Sequence, residues 1–90
     1  MDTIRGKCEI IEVLLSQIIL LISDEIGENP YEDLEKAKKI ASQKNISQLS
    51  SINKKLKNVT MLLYNRRLDN SDEIFKKLDE IYFLLNPKPS

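Results

Sequence analysis

The side chains that most often carry enzymatic chemistry are scarce in this chain. It contains no histidine, and histidine is the commonest general base and metal ligand near neutral pH. The single cysteine, Cys8, therefore lacks the imidazole partner that activates a nucleophilic thiol. Cys8 falls at a helical core spacing, and we expect it to be buried.

The acidic residues do not form a recognisable site either. The segment 69–73, DNSDE, looks like the start of a calcium-binding loop, but Ile74 stands where such loops need glycine. Asp79 and Glu80 are adjacent, so on a helix they point about 100° apart and cannot act as a pair. Two glycines in the whole chain leave no glycine-rich phosphate loop. We expect neither an enzyme nor a protein with a cofactor or metal.

The charge of the chain is balanced overall but unevenly distributed. Fourteen basic and fourteen acidic residues give a net charge of zero over 90 residues. Residues 1–30 hold six acids and two bases, whereas residues 46–68 hold five bases and no acid. A neutral total argues against a general nucleic-acid-binding protein, because such proteins are usually strongly basic. The uneven distribution is instead the best indication of a binding partner.

Compartment signals in the sequence are few. One cysteine excludes a disulfide within one chain and suits a reducing compartment. The first twelve residues mix charges of both signs, and no small-residue cleavage site follows an apolar segment, so we expect no signal peptide. The expected location is the cytoplasm. A peripheral position at the inner face of the cell membrane is the alternative.

Apolar residues spaced three and four apart predict four helices and no strand. We place the helices at 3–26, 31–43, 46–68 and 71–85, followed by a polar tail at 86–90. The short connections require neighbouring helices to run in opposite directions. The sequence therefore predicts one all-α domain, an antiparallel four-helix bundle, across the whole chain.

Two helix starts carry recognisable capping residues. Asn29 precedes Pro30, and we expect Asn29 to be the N-cap and Pro30 the first helical residue of the second helix. Asn70 followed by Glu73 has the spacing of a capping box, with Ser71 as the alternative cap of the fourth helix.

The third predicted helix carries the clearest apolar seam. Its members, at steps of three and four, are Leu49, Ile52, Leu56, Val59 and Leu63. Met61, Leu62 and Leu68 are expected to widen this seam.

The first predicted helix is apolar on nearly every side between residues 13 and 22. That segment is half the length of a membrane span, which needs about 20 apolar residues. We interpret it as a central helix that is contacted on several sides. A homodimer seam or contact with a membrane surface is the alternative, because exposed apolar area must be covered.

The basic residues of the third predicted helix form the main candidate surface. They are Lys54, Lys55, Lys57, Arg66 and Arg67. Lys55 and Arg66 are eleven residues apart, close to three helical turns, and are expected to share a face. One interpretation is that this face is solvated and that acids of the fourth helix balance its positive charge. The other is that it is a docking surface for an acidic or phospholipid partner. Nucleic acid is disfavoured because Tyr64 alone interleaves with the bases.

A known family shows a similar pattern in the second half of the chain. The similarity lies in the segment 52–68, INKKLKNVTMLLYNRRL, followed by DNSDE and a last amphipathic helix. This pattern resembles the immunity proteins for pediocin-like bacteriocins, the enterocin A immunity family. The resemblance implies an antiparallel four-helix bundle in the cytosol that protects the producing bacterium from its own pore-forming peptide.

The resemblance also implies a partner and a site. The implied partner is a membrane permease of the mannose phosphotransferase type with bound bacteriocin, approached from the cytosolic side. Recognition is then expected on the third and fourth helices, through the five basic residues, with Tyr82 and Phe83 as apolar contacts. The alternative function is a small helical interaction module, such as an oligomeric subunit or antitoxin that associates through the first helix. A nucleic-acid binder using the third helix is a further alternative.

Overall fold

The computed structural model describes residues 3–44, 46–66 and 68–85, with side chains from residue 6 and not at residue 46. Its elements are α1 (Thr3–Ile26), α2 (Glu32–Ser42), a 3-10 turn (Ile46–Gln48), α3 (Leu49–Asn65) and α4 (Ser71–Leu85). Over these residues every regular element is helical, and there is no strand. The all-α prediction is confirmed. The predicted tail at 86–90 and Arg67 lie outside the described residues.

The predicted bounds of the first and fourth helices agree with α1 and α4, but α2 begins later than predicted. Asn29 does not cap a helix that starts at Pro30. Instead, its Oδ1 accepts the N–H of Tyr31 at 3.1 Å and its Nδ2 donates to the carbonyl of Tyr31 at 3.2 Å. This local turn holds Tyr31 in an extended conformation, with φ −96° and ψ 94°, so Tyr31 becomes the N-cap.

The predicted third helix, 46–68, is wrong at both ends. Its first three residues form a 3-10 turn, and α3 ends at Asn65. Arg66 is extended, with φ −120° and ψ 96°. Arg66 therefore lies just beyond the helix that carries Lys55, although its N–H still donates to the carbonyl of Leu62 at 3.0 Å. That Lys55 and Arg66 share a face stays a prediction.

The four helices pack in a ring around one apolar core. α1 and α3 each pack against both α2 and α4. From α3 the core receives Ile52, Leu56, Val59 and Leu63, which are all buried. Ile11, Leu15, Ile18 and Ile22 contribute the matching face of α1. Cys8 is also buried, as expected.

Three apolar side chains of α1 do not reach this core. Ile10 is 49 % exposed, Val13 54 % and Leu20 68 %. The prediction of a first helix covered on several sides is therefore wrong for these positions, because α1 packs against two neighbours and leaves an outer face uncovered. No helix among the described residues has both the length and the apolar character needed to cross a membrane.

A contact between the end of α1 and the start of α4 fixes the two helices relative to each other. The carboxylate of Glu25 accepts the backbone N–H of Asp69 at 2.8 Å and that of Asn70 at 3.0 Å. These N–H groups lie at the positive end of α4, where a carboxylate is favoured. The Ser71 hydroxyl is engaged next to them and accepts the N–H of Leu68 at 2.8 Å. The segment 69–73 is thus a helix start stabilised from α1.

We predict that Glu25→Gln lowers the free energy of unfolding by about 1 kcal/mol, since one charge-assisted pair of hydrogen bonds is weakened at an exposed site. Urea denaturation at low micromolar concentration measures the change. Asp24→Asn is the matched control, because it removes the neighbouring negative charge but none of these hydrogen bonds. It should leave stability unchanged or slightly higher, as an acid near a helix C-terminus is unfavourable. Equal losses from both variants would contradict the role given to Glu25.

Candidate interaction surface on α3 and α4

The predicted basic residues do not form one continuous surface. Lys54, Lys57 and Arg66 are exposed, whereas Lys55 is half-buried. At about 100° per residue, Lys54 and Lys57 lie about 60° apart on α3, but Lys55 and Lys57 lie about 160° apart. Lys54 and Lys57 therefore share a side of α3, and Lys55 lies on a different side.

Lys57 lines an open groove of about 860 Å³ between α3 and α4. The residues that line the groove are Asn53, Lys57, Thr60, Met61, Asp79, Tyr82 and Phe83. The two predicted apolar contacts, Tyr82 and Phe83, thus lie in the same groove as Lys57, one of the predicted basic residues. The structure does not bring Lys55 or Arg66 into this groove.

The floor of the groove is held by a hydrogen bond between the two helices. Thr60 Oγ1 donates to the carbonyl of Leu56 at 2.8 Å and lies 3.0 Å from the hydroxyl oxygen of Tyr82. Because the Thr60 hydroxyl has one proton and gives it to Leu56, the Tyr82 hydroxyl is the donor to Thr60. Burial raises the pKa of the Tyr82 phenol above its ordinary value of 10.0, and the Asp79 carboxylate raises it further. Tyr82 therefore works mainly as a neutral structural link.

The rim of the groove is apolar and open to solvent. Met61 is 66 % exposed and Phe83 is 67 % exposed. Leu62, on the opposite side of α3 from the groove, is 50 % exposed. The prediction that Met61 and Leu62 widen the buried seam is wrong, since α3 has only two neighbours to cover it. Phe83 agrees with its predicted place on the surface.

An aromatic pair closes the other end of the α3–α4 interface. The rings of Tyr64 and Phe75 stack with centroids 4.8 Å apart and planes 24° apart. Tyr64 nevertheless remains 71 % exposed. The single aromatic residue among the bases is thus already stacked within the protein, which makes it a poor platform for a nucleic-acid base.

The exposed cations on this side of the molecule are not neutralised by direct ion pairs. Among the described side chains, Lys54, Lys57 and Arg66 have no carboxylate within 4.0 Å; the pairs present are Lys44 with Glu9 at 3.9 Å and Lys77 with Glu73 at 3.6 Å. Lys57 and Asp79 line the same groove without forming a salt bridge. The groove therefore has one basic residue on α3 and one acidic residue on α4.

Sequence reasoning missed Thr60, Met61 and Asp79 as parts of this surface. Thr60 and Tyr82 are 22 residues apart, and no local pattern signals that they meet. In the part of the chain that the structure describes, no three cysteine, aspartate or glutamate side chains are grouped so that they could hold a metal ion.

No protein-family model, curated protein or solved structure matches the chain.

We predict that Tyr82→Phe lowers the free energy of unfolding by about 1 kcal/mol at pH 7, because the bond to Thr60 is lost. The wild type should also lose stability as the pH rises above 10, through the raised pKa of Tyr82, since the unfolded phenol releases its proton first. In Tyr82→Phe, the part of the stability loss at alkaline pH that comes from this phenol should be absent. Chemical denaturation between pH 7 and pH 11 measures both effects.

Tyr64→Phe is the control for this measurement, because it removes a hydroxyl from an exposed ring and keeps the stack on Phe75. We expect a stability within about 0.5 kcal/mol of the wild type at pH 7. If Tyr64→Phe lowers the free energy of unfolding as much as Tyr82→Phe does, the hydrogen bond between Thr60 and Tyr82 does not stabilise the fold as we predict.

Proposed function

We propose that this chain is a bacteriocin immunity protein that protects its cell from a pediocin-like pore-forming peptide. In this proposal it acts from the cytosolic side, at the inner face of the membrane, on a permease of the mannose phosphotransferase type with bound bacteriocin. It has no enzymatic role. The proposal is supported by the resemblance in residues 52–73 and by the kind of surface that α3 and α4 present.

We further infer that the helices form an antiparallel four-helix bundle, as in the family that the sequence resembles. Three contacts support this arrangement for α4. Glu25 contacts Asp69 and Asn70, whereas Gln17 accepts a hydrogen bond from Lys77 at 3.1 Å. Contact positions on α4 therefore rise in number as those on α1 fall, which is expected for opposite directions.

The observation that carries the functional proposal is a groove in which exposed apolar side chains lie beside a lysine that has no ion pair among the described side chains. Lys57 provides this charge, with Lys54 on the same side of α3, and Met61 and Phe83 provide the apolar area. Apolar anchors surrounded by polar groups are typical of protein-binding sites. This favours a protein partner over a simply solvated face.

A second candidate function is a helical interaction module that oligomerises through α1. The exposed Ile10, Val13 and Leu20 favour it. A nucleic-acid binder is less favoured, because the lysines of α3 face different sides and Tyr64 is stacked on Phe75.

We predict that the double variant Lys54→Glu/Lys57→Glu loses protection against a pediocin-like peptide that the wild type resists. The matched control is Lys36→Glu/Lys39→Glu, which reverses two exposed charges at the same spacing on α2. Growth of a sensitive strain expressing each protein is measured against increasing peptide. The inhibitory concentration of the peptide should fall by about tenfold or more for the α3 variant. A loss of about 1.4 kcal/mol of binding free energy is enough to weaken binding tenfold. The α2 variant should protect like the wild type.

Phe83→Ala tests the apolar part of the same groove and should also reduce protection. Protein levels are compared in every strain, so that loss of protection is separated from loss of protein. Unchanged killing by every pediocin-like peptide in the presence of the wild-type protein would count against the proposal. Equal effects of the α2 and α3 variants would remove α3 as the recognition surface.

A further inference from the structure

Two hollows follow one another along the interface between α3 and α4. The first is the groove of Lys57, Met61 and Phe83 described above. The second, of about 530 Å³, lies toward the turn that joins the two helices, and its lining residues include Tyr64 and Asp72. We call the two hollows together the extended groove.

The residues that line the extended groove repeat every seven positions. Lys57 and Tyr64 are seven residues apart on α3, and Asp72 and Asp79 are seven residues apart on α4. Residues at this spacing lie two turns apart and within about 20° of each other around the helix. Each helix therefore presents one face to both hollows. Two helices with such repeats form the kind of groove that accepts a third helix.

The extended groove is oppositely charged at its two ends. Lys57 is the base that lines it, two turns before the end of α3. Asp69 and Asp72 line the other end, beside the turn between the helices. Among the described side chains, none of these three forms a salt bridge. Each end therefore has a charge that a bound partner can neutralise.

The neighbouring charges leave this difference in place. Lys54 lies on the same side of α3 as Lys57 and extends the basic end. Asp79 adds a negative charge on the α4 wall between the two ends. Arg66 and Lys76 are exposed, but they line neither hollow.

A helix is the occupant that matches this polarity. An α-helix carries partial positive charge at its N-terminus and partial negative charge at its C-terminus. A helix whose N-terminus lies at Asp72 and whose C-terminus lies at Lys57 places each end on the opposite charge. Its apolar side then covers Met61 and Phe83, which are both mostly exposed.

A second copy of the chain and a membrane surface fit less well. The extended groove is concave, so the grooves of two copies would face each other without filling either one. Anionic lipid headgroups would be repelled by Asp69, Asp72 and Asp79. Shape and charge therefore favour a helix of a different protein.

We propose that the extended groove binds an amphipathic helix of the partner protein, running in the same direction as α4. Bases in the first turn of that helix lie next to Asp69 and Asp72, and acids in its last turn lie next to Lys57. This inference rests on the proposed function, because it specifies which kind of partner segment meets the surface of α3 and α4.

Two synthetic peptides of about 15 residues test the proposal. Both carry leucines at helical spacing and are kept helical by a hydrocarbon staple on the polar side. The first has lysines in its first turn and glutamates in its last turn, and the second has these charges exchanged. Fluorescence anisotropy of each labelled peptide, titrated with the full chain, should show that the first binds about tenfold more tightly, because charges at both ends contribute. An unstapled first peptide with a central proline, which interrupts the helix, should bind about tenfold more weakly than the stapled one.

An exchange of charges on the protein tests the direction of the bound helix. Lys57→Glu/Asp72→Lys should reverse the preference, so that the second peptide binds more tightly. A change in protein stability does not produce such a reversal, since both peptides meet the same folded protein. The control is Glu32→Lys/Lys39→Glu, which exchanges two exposed charges on α2; it should keep the preference of the wild type.

Equal binding of the two stapled peptides, or no binding of either at about 1 mM, overturns the proposal. So does a dimer, seen by sedimentation velocity, that is lost in Phe83→Ala, since a second copy then occupies the groove. If protection depends on Lys54 and Lys57 but the two peptides bind equally, the immunity function stands and only the helix proposal fails. If the peptides show the expected preference but the wild type gives no protection, the groove binds helices and the immunity function fails.

Discussion

The structure depends on one constraint: each helix can bury only a narrow apolar stripe against a shared core. In α3 this stripe is Ile52, Leu56, Val59 and Leu63, and each of these side chains is at most 1 % exposed. A chain of 90 residues has too little interior to cover more than that. Apolar residues beyond the four stripes must therefore remain on the surface, and both candidate interaction surfaces consist of such residues.

The two surfaces differ in their electrostatics, which separates the partners they suit. The groove between α3 and α4 has Lys57 and Asp79 beside Met61 and Phe83, and Lys57 has no direct ion pair among the described side chains. The exposed apolar side chains of α1, Ile10, Val13 and Leu20, have an exposed acid near each end, Glu9 and Asp24. A surface with uncompensated charge needs a partner of opposite charge.

Local patterns predicted the helices well and their tertiary contacts poorly. The apolar spacing gave the bounds of α1 and α4 and the seam of α3, because burial of one stripe determines periodicity. It could not show that Arg66 leaves the helix, since that follows from a backbone conformation and not from periodicity. The contact of Glu25 with Asp69 and Asn70 spans more than forty residues. Neither it nor the bond between Thr60 and Tyr82 has a local signature.

The ring order of the helices relates the groove to the exposed face of α1. α1 packs against α2 and α4, and α3 packs against the same two helices, so α1 and α3 occupy diagonal corners. Association through α1, the second candidate function, would therefore leave the groove of each copy open. Two such grooves on one particle would raise the effective concentration of the second site once the first is engaged, even if each binds weakly. A thin core that leaves apolar residues on two separate corners can in this way support association and recognition at once.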